Sequence, residues 1–390
     1  MDNSIERILI FPTNGKSFTE QLTNCLDQIH EHCETNNTRI LQQSFFICPQ
    51  HNEAYQIQRQ EILTALKLNP GATPSTSVIA QPPAYGHLVT VELILVIDGT
   101  GREVIYREYE NIPYTLVESV YSREIYAAGI SSYDTTGDFV NQAEDAFRLL
   151  KGILRSEGLT MADIVRQWNY VENILSVQDE EGHINQHYQI LNDVRSRYYA
   201  EASFNKGFPA ATGIGMNTGG IILEIYAVLP RKHVEIHPLK NPLQVDAYNY
   251  SDRVLVGDAT AGQQIKTTPK FERAKYIGIN SEANVYISGT AAIHNELTIG
   301  VDDPIKQTET TIENIASLIS VENLQMAGIE WEGREPIYQF IRVYIKNQDY
   351  LESVRKICSK RFPGIPVHYL IADVCRDNLL VEIEGVASLG

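Results

Sequence analysis

Val285-Tyr-Ile-Ser-Gly289-Thr-Ala-Ala begins a series of segments that occurs twice in the chain. This repeat is the basis of the predicted fold. The first segment is followed by Gln307-Thr-Glu-Thr-Thr-Ile-Glu-Asn-Ile and, much later, by Leu380-Val-Glu382-Ile-Glu-Gly-Val. These segments predict a strand, a helix and a final apolar strand with a glutamate inside it.

The same series occurs earlier in the chain. Its three segments are Ile125-Tyr-Ala-Ala-Gly129-Ile-Ser, Asn141-Gln-Ala-Glu-Asp-Ala-Phe-Arg-Leu-Leu and Ile222-Leu-Glu224-Ile-Tyr-Ala-Val. The spacing agrees as well, since Gly289 and Glu382 are 93 positions apart and Gly129 and Glu224 are 95. Such a repeat predicts two related structural units, of which one can carry the chemistry while the other supports it.

The N-terminal third contains a further, partial copy. Thr73-Pro-Ser-Thr-Ser-Val-Ile leads to the apolar run Val89-Thr-Val-Glu92-Leu-Ile-Leu. Phe208-Pro precedes Glu224, and Ile365-Pro precedes Glu382, in the same way. Proline is tolerated at the start of a strand. We therefore predict an extra half unit before the two full copies.

Composition and charge limit the class of protein. A chain of 390 residues with 43% hydrophobic residues can form two or more domains. The formal charge of −17 argues against nucleic acid as a partner. Five cysteines without a C-x-x-C pair indicate neither a disulfide framework nor a zinc cluster. With no signal-peptide pattern and no membrane-spanning apolar run, we expect a cytoplasmic protein that does not bind membranes.

The order of predicted elements indicates an α+β protein of mixed α/β type. Each unit is expected to be a mixed sheet with helices packed on one face. We place an N-terminal domain at residues 1–235, including the half unit, and a C-terminal catalytic domain at residues 236–390. Asp98-Gly-Thr-Gly predicts a hairpin between the strands at 86–98 and 101–108. Residues 251–269 are expected to form a surface insertion.

These motifs resemble the RidA/YjgF family, also known as endoribonuclease L-PSP-like proteins. The resemblance rests on Ser288-Gly-Thr, on the helix start from Gln307 to Ile315 and on Val381-Glu-Ile-Glu-Gly385. It implies tandem RidA/YjgF-like domains. RidA domains usually form trimers, so monomer and homotrimer both remain open for a tandem chain.

Within that family, the chain is similar to the chorismatases from about residue 75 to its end. The segments that carry this similarity are Val78-Ile-Ala-Gln-Pro-Pro-Ala84, Arg166-Gln-Trp-Asn-Tyr170, Asn241-Pro-Leu-Gln-Val-Asp-Ala-Tyr-Asn-Tyr250, Phe271-Glu-Arg-Ala274 and Ile371-Ala-Asp-Val-Cys-Arg376. Such enzymes remove the pyruvate unit from chorismate without a metal or an organic cofactor. The resemblance therefore implies release of pyruvate from chorismate, with 3-hydroxybenzoate as the expected product for secondary metabolism.

Glu382 is the candidate general acid. Strand alternation places it on one face with Leu380 and Glu384, while Val381 and Ile383 face the other way. A carboxyl group in apolar surroundings has a raised pKa and stays protonated near neutrality, as protonation of an enol ether requires. A solvated strand carboxylate is the alternative, and the match to the position of the family acid favours catalysis. Glu224 is expected to be structural.

Cys375 is the second candidate catalytic residue. Cysteine at this position marks, by resemblance, the chorismatases that form 3-hydroxybenzoate rather than those that hydrolyse chorismate to a cyclohexadiene diol. A partly exposed thiol can move protons or act as a nucleophile. A small buried packing residue is the alternative.

Chorismate carries two carboxylates, so substrate-binding cations are expected. The candidates are Arg197, Arg273 and Lys346, and related sequences tend to have arginine at the last position. Tyr250 is expected to bond the ring substituents. For each of them, an ordinary surface side chain is the alternative.

Two other functions remain as alternatives: a RidA-fold protein that binds a small metabolite without turnover, and an enamine/imine deaminase. The deaminase is disfavoured, because Val367-His368 stands where the deaminase-type proteins carry an arginine. Histidine spacing indicates no metal site, and no cofactor motif occurs.

Overall fold

The computed structural model describes residues 4–67, 73–132, 138–180, 183–256 and 266–389. These residues form three successive units. The N-terminal unit contains β1 (Ile5–Ile10), α1 (Phe18–Asn36), β2 (Thr38–Ile47), α2 (Asn52–Lys67), β3 (Ser75–Ile79) and β4 (Val89–Ile97). Its strands form one sheet in the order β1-β4-β2-β3, in which only the β2–β3 pair is parallel.

The middle unit has a six-stranded sheet in the order β11-β8-β12-β7-β6-β5. Its elements are β5 (Glu103–Tyr109), β6 (Ile112–Glu118), β7 (Ser122–Ile130), α3 (Phe139–Ser156), β8 (Ile164–Glu172), β9 (Val177–Glu180), β10 (His183–Gln186), α4 (His187–Tyr199), β11 (Ala210–Met216) and β12 (Ile221–Pro230). Strands β9 and β10 pair only with each other.

The C-terminal unit has a second six-stranded sheet, in the order β13-β14-β15-β20-β18-β19. Its elements are β13 (Val234–Leu239), β14 (Ala274–Ile279), β15 (Glu282–Ala291), β16 (Ile293–His294), β17 (Leu297–Thr298), α5 (Pro304–Leu318), α6 (Val321–Met326), β18 (Ile337–Ile345), α7 (Leu351–Arg361), β19 (Val367–Ile371) and β20 (Val381–Leu389). Read from β19, this order is the same as that of the middle sheet.

The predicted fold class and the repeat are confirmed. Glu224 lies on β12 and Glu382 on β20, which hold the same place in two sheets of equal strand order. The N-terminal segment is larger than the predicted half unit. It has four strands and two helices in the same connectivity, lacks only the first two strands, and carries Glu92 on its final strand β4.

Helix α3 shows why these sequences fold locally as they do. Asp138 caps the helix by accepting a hydrogen bond from the backbone N–H of Asn141 at 2.8 Å. Ala143, Phe147 and Leu150 recur at helical spacing and are fully buried against the middle sheet. The same alternation of a capped amphipathic helix and an apolar strand recurs in all three units.

The predicted hairpin at Asp98-Gly-Thr-Gly is wrong. β4 is hydrogen-bonded to β1 on one side and to β2 on the other, so it has no free edge for the next strand. β5 instead begins the middle sheet by pairing with β6. The turn therefore connects two units rather than two paired strands.

The three units pack against one another in a closed ring. β3 contacts β6 and β7, β11 contacts β14 and β15, and β1 contacts β18. Backbone hydrogen bonds join the units as well, from Ala84 N to Tyr369 O at 3.0 Å and from Gly215 N to Asp373 O at 2.8 Å. Two apolar clusters, around Phe45 and around Tyr226, contain side chains from all three units.

Candidate active site

A cavity of about 580 Å³, including the part open to solvent, lies between the middle and C-terminal units. Glu382, Cys375, Tyr250 and Arg273, four of the six predicted site residues, line it together. Sequence reasoning placed them on separate segments, and the packing of two units brings them to one place. Residues 254–256 and 269 also line the cavity, so the described ends of the predicted surface insertion belong to the site.

The Glu382 side chain occupies space that a glycine leaves open. It projects from β20 towards the middle unit, while Val381 and Ile383 pack in the C-terminal core, as the alternation predicts. A Cβ atom at Gly289 would overlap the Glu382 carboxyl. The register of β15 against β20 shifts between Ile287 and Thr290, at this glycine. The Ser-Gly-Thr motif therefore provides room for the carboxyl group.

The surroundings of Glu382 favour its protonated form. Its side chain is 4% exposed, and no hydrogen-bond donor of the described residues reaches its carboxyl oxygens. Burial, together with the charge of Glu384, raises the pKa of Glu382 to about 8, although Arg166 and Arg273 oppose the shift. Glu382 can thus hold a proton at neutral pH, which is the state of a general acid.

Glu384, two positions along the same strand, is held differently. It accepts hydrogen bonds from Arg166 at 2.5 Å, from the Trp168 indole at 2.9 Å and from Arg342 at 2.7 Å. Its negative charge is therefore balanced by two buried arginines. The two neighbouring carboxyl groups therefore differ in charge state, because Glu384 is ion-paired as a carboxylate and Glu382 is not.

The equivalent glutamates of the other two units are fully engaged. Glu224 accepts hydrogen bonds from Ser44 at 2.8 Å, from Gln42 at 3.2 Å and from Tyr170 at 3.2 Å. Glu92 is paired with Arg342 and with His368, whose Nδ1 lies 2.6 Å from Glu92 Oε1. Burial alone would raise the pKa of Glu92, but these cations lower it to about 2.

Cys375 lies in the connection between β19 and β20, and its thiol is half-buried. Burial and the neighbouring Glu382 raise its pKa to about 12. The thiol is therefore protonated at neutral pH, so it is a hydrogen-bond donor and a poor nucleophile. Tyr188 of α4 lines the same cavity from the middle unit, and burial raises its pKa as well.

Two arginines, Arg273 and Arg376, face the cavity around Tyr250. Arg273 donates to the Tyr250 hydroxyl at 2.7 Å, and its Nε has no partner among the described residues. The Arg376 guanidinium lies 5.0 Å from the centre of the Tyr250 ring and donates to the Glu296 carbonyl at 2.8 Å. Arg376 was missed from sequence, although it directly follows Cys375 in a motif that carries the chorismatase resemblance.

Arg197 and Lys346 lie outside the cavity. Arg197 projects from α4 towards α3, where its Nε donates to Glu144 at 3.1 Å. Lys346 lies just beyond β18 and contacts the Asp377 carboxylate at 2.7 Å. Both cations are thus bound to surface carboxylates, and the geometry gives their predicted substrate-binding role no support.

Within the described residues, no three His, Cys, Asp or Glu side chains are grouped so that they could hold a metal ion. None of the described helices combines the length and the apolar character needed to cross a membrane.

The raised pKa of Glu382 predicts a pH-dependent stability. Between its ordinary value of 4.5 and about 8, the folded chain holds a proton that the unfolded chain has lost. This stabilisation is fully present below the ordinary value and is lost as the pH rises through about 8. We expect the free energy of unfolding to fall over this window, on the order of a few kcal/mol more than in Glu382→Gln. Denaturant titrations over the window measure the difference, and parallel curves would contradict the assignment.

Known proteins are similar to the chain in sequence. A family model described as "Chorismatase FkbO/Hyg5-like, N-terminal" matches residues 115–228. A protein of Streptomyces hygroscopicus named 3-hydroxybenzoate synthase is 33% identical over 264 residues, which are 64% of this chain and 70% of that protein. A chorismatase of the same organism is 28% identical over 267 residues, covering 68% of this chain and 72% of the other.

The fold is also that of a known structure. A chorismatase crystal structure covers 99% of this chain and is itself fully covered, with a TM-score of 0.70 and 21% sequence identity. That similarity concerns the fold alone, and the sequence match to the 3-hydroxybenzoate synthase establishes the relationship. The chain belongs to the chorismatase family.

Proposed function

We propose that the chain converts chorismate to 3-hydroxybenzoate and pyruvate. The observation that carries the proposal is a buried, unpaired carboxyl group, Glu382, with a pKa of about 8 in a cavity that two arginines also face. The relative named 3-hydroxybenzoate synthase supports the choice of product, and the relative named chorismatase supports the choice of substrate.

In the proposed mechanism, Glu382 protonates the methylene carbon of the enol ether. The proton converts the side chain to an oxocarbenium ion and leaves Glu382 as a carboxylate. Arg166 and Arg273, which oppose the raised pKa, favour this carboxylate once it forms. The barrier to protonation is lowered because a carboxyl of raised pKa is available near neutrality.

The stoichiometry needs no other reactant. Chorismic acid contains the same atoms as 3-hydroxybenzoic acid and pyruvic acid together, so no water is consumed overall. The oxygen of the ring hydroxyl beside the ether carbon displaces pyruvate from that carbon, which breaks the ether C–O bond, forms an epoxide and releases the hydroxyl proton. Opening of the epoxide at its other carbon takes up one proton and leaves the oxygen on the former ether carbon. Aromatisation then removes the ring proton from that carbon. The Glu382 carboxylate formed in the first step can take that proton, which restores the acid for the next turnover.

Binding is proposed to use Arg273, Arg376 and Tyr250. A guanidinium group binds a carboxylate with paired hydrogen bonds, and the substrate has two carboxylates. Arg273 has an unpaired Nε, and Arg376 lies on the same tyrosine ring. We leave Arg197 and Lys346 out of this assignment because of their surface contacts.

Cys375 is proposed to act in the aromatisation step. Its protonated thiol lies beside Glu382, so it can donate a hydrogen bond to the intermediate or move a proton there. The deaminase alternative has no geometric support, because His368 is fully buried against Thr90 and Glu92. Binding of a metabolite without turnover remains a possible outcome of the first experiment below.

We infer that the chain acts as a monomer in the cytoplasm. The apolar clusters that join the three units lie within one chain and are buried there. All five cysteines are free thiols, in keeping with a reducing compartment. The net charge of −17 continues to argue against nucleic acid as a partner.

Glu382→Gln should abolish turnover while chorismate still binds. The amide keeps the size of the side chain but cannot supply the proton, so we expect a loss of about 10²–10⁴-fold in kcat. Glu224→Gln, the same change at the equivalent position of the middle unit, is the matched control and should stay active. Pyruvate release from chorismate is the measurement. Full activity of Glu382→Gln would exclude it as the acid, and an inactive wild type that binds chorismate would indicate a binding protein.

Cys375→Ala should change the product rather than the first step. If the thiol directs aromatisation, 3-hydroxybenzoate formation falls or ceases while pyruvate release partly survives. Chromatography of the products beside a pyruvate assay separates the two steps. A thiol that only fills space predicts modest destabilisation with an unchanged product ratio, and that result would end the catalytic assignment.

The oligomeric state tests whether the ring of units is complete within one chain. Light scattering of the full chain should give a mass near 43.9 kDa. A mass three times as large would contradict the monomer and show that further surfaces associate.

A further inference from the structure

A second cavity lies at the centre of the molecule, where the three units meet. Its volume is about 530 Å³, including the part open to solvent. Gln42, Arg166 and Arg342 line it from the three units, and it shares no lining residue with the cavity at Glu382.

The three central residues hold equivalent positions in their strands. Arg166 pairs with Tyr226 of β12, Arg342 with Glu384 of β20 and Gln42 with Ile94 of β4, each two positions beyond the repeated glutamate. Glutamine thus replaces arginine in the N-terminal unit. Gln42 is 4% exposed, and its Oε1 has no hydrogen-bond partner among the described residues. A buried acceptor without a donor is costly and indicates a missing partner.

A second unpartnered group faces the same space. Arg7 of β1 donates through Nη2 to the Tyr286 hydroxyl at 2.9 Å, but its buried Nη1 has no partner among the described residues. Arg342, by contrast, is fully engaged by Glu92 and Glu384. Arg7 therefore offers a charged donor that the protein does not use.

The charge of the lining leaves room for one anion. Arg7, Arg166 and Arg342 contribute three positive charges, and Glu92 and Glu384 contribute two negative ones. Glu224 lies behind Gln42 and Ser44 and does not line the cavity. A monovalent anion would balance the cavity.

The rest of the wall is apolar. It is formed by Leu93, Ile94, Phe340, Val386 and the indole of Trp168. Leu93 and Phe340 are almost fully buried. A concave, mostly apolar wall with few convergent polar groups is typical of small-molecule sites.

We propose that this central cavity binds a small aromatic monocarboxylate that carries a hydrogen-bond donor on its ring. The carboxylate accepts a hydrogen bond from Arg7 Nη1, and the donor on the ring gives a hydrogen bond to Gln42 Oε1. The ring lies against the apolar wall. The class includes the product of the proposed reaction, and the choice of 3-hydroxybenzoate as a probe rests on that function. The unpartnered groups and the apolar wall of the cavity do not depend on that function.

Calorimetric titration of the full chain with 3-hydroxybenzoate tests the site. The wild type should show two binding events, one at the central cavity and one at the cavity of Arg273. Arg7→Met should weaken the first by at least about tenfold, since a charge-assisted hydrogen bond is lost. Arg39→Met is the matched control: Arg7 lies 5.6 Å from the centre of the Tyr286 ring and Arg39 lies 5.4 Å from that of Tyr106, but Arg39 lines neither cavity. Arg273→Met should remove the second event only.

A second variant covers the case in which Arg7→Met fails to fold. Ile94→Phe fills the cavity without removing a polar group, and it should abolish the central event while the thermal midpoint stays close to that of the wild type. Benzoate, which lacks the ring donor, should bind the central cavity more weakly than 3-hydroxybenzoate.

Two results would overturn the proposal. In one, no saturable binding survives in Arg273→Met, so that water alone fills the central cavity. In the other, the titration of Arg7→Met or Ile94→Phe equals that of the wild type. Turnover of chorismate is measured separately from binding. A protein that is inactive on chorismate can still bind 3-hydroxybenzoate at the central cavity, and an active protein can fail to bind it there.

Discussion

The structure depends on how each unit's final strand presents a carboxyl group to the neighbouring unit. Glu92, Glu224 and Glu382 all lie at interfaces between units with little exposure to water, and a buried charge there is stable only with a partner. The partner sets the state of each group. Cations hold Glu92 as a carboxylate, neutral donors surround Glu224, and Glu382 has neither. One repeated position thereby gives two structural contacts and one carboxyl group that is free for the proposed acid role.

The three glutamates can have different partners only because the residues that surround them differ from one interface to the next. In a trimer of identical chains, a change that frees one glutamate frees all three, whereas a single chain can alter each interface separately. The ion pairs of Glu384 with Arg166 and Arg342 show the consequence. Arg166 belongs to the middle unit, so its ion pair joins β20 to that unit beside Glu382, and the strand that carries the proposed acid is held by a charge from another unit.

The sequence predicted much of the fold because the repeat preserves its apolar alternation and its glycine and proline positions. The candidates Glu382 and Cys375 came from the resemblance to the chorismatases, since both lie at motif positions close together in the chain. The hairpin at Asp98 was wrong because a turn signal does not reveal that both edges of β4 are occupied. Arg197 and Lys346 were chosen by their charge and their positions in the chain, and sequence cannot show that Glu144 and Asp377 contact them.

The sequence alone could not show which residues of different units come together in one cavity. Tyr188 comes from α4 of the middle unit and Arg376 from the C-terminal unit, and only the packing of the two sheets places both in one cavity. The same holds at the centre, where Arg7 and Gln42 come from the N-terminal unit and Arg342 from the C-terminal one. Both cavities lie where units of the same fold meet but carry different residues at matching positions. Divergence between copies, rather than any single motif, therefore creates the polar groups without partners on which both proposed sites rest.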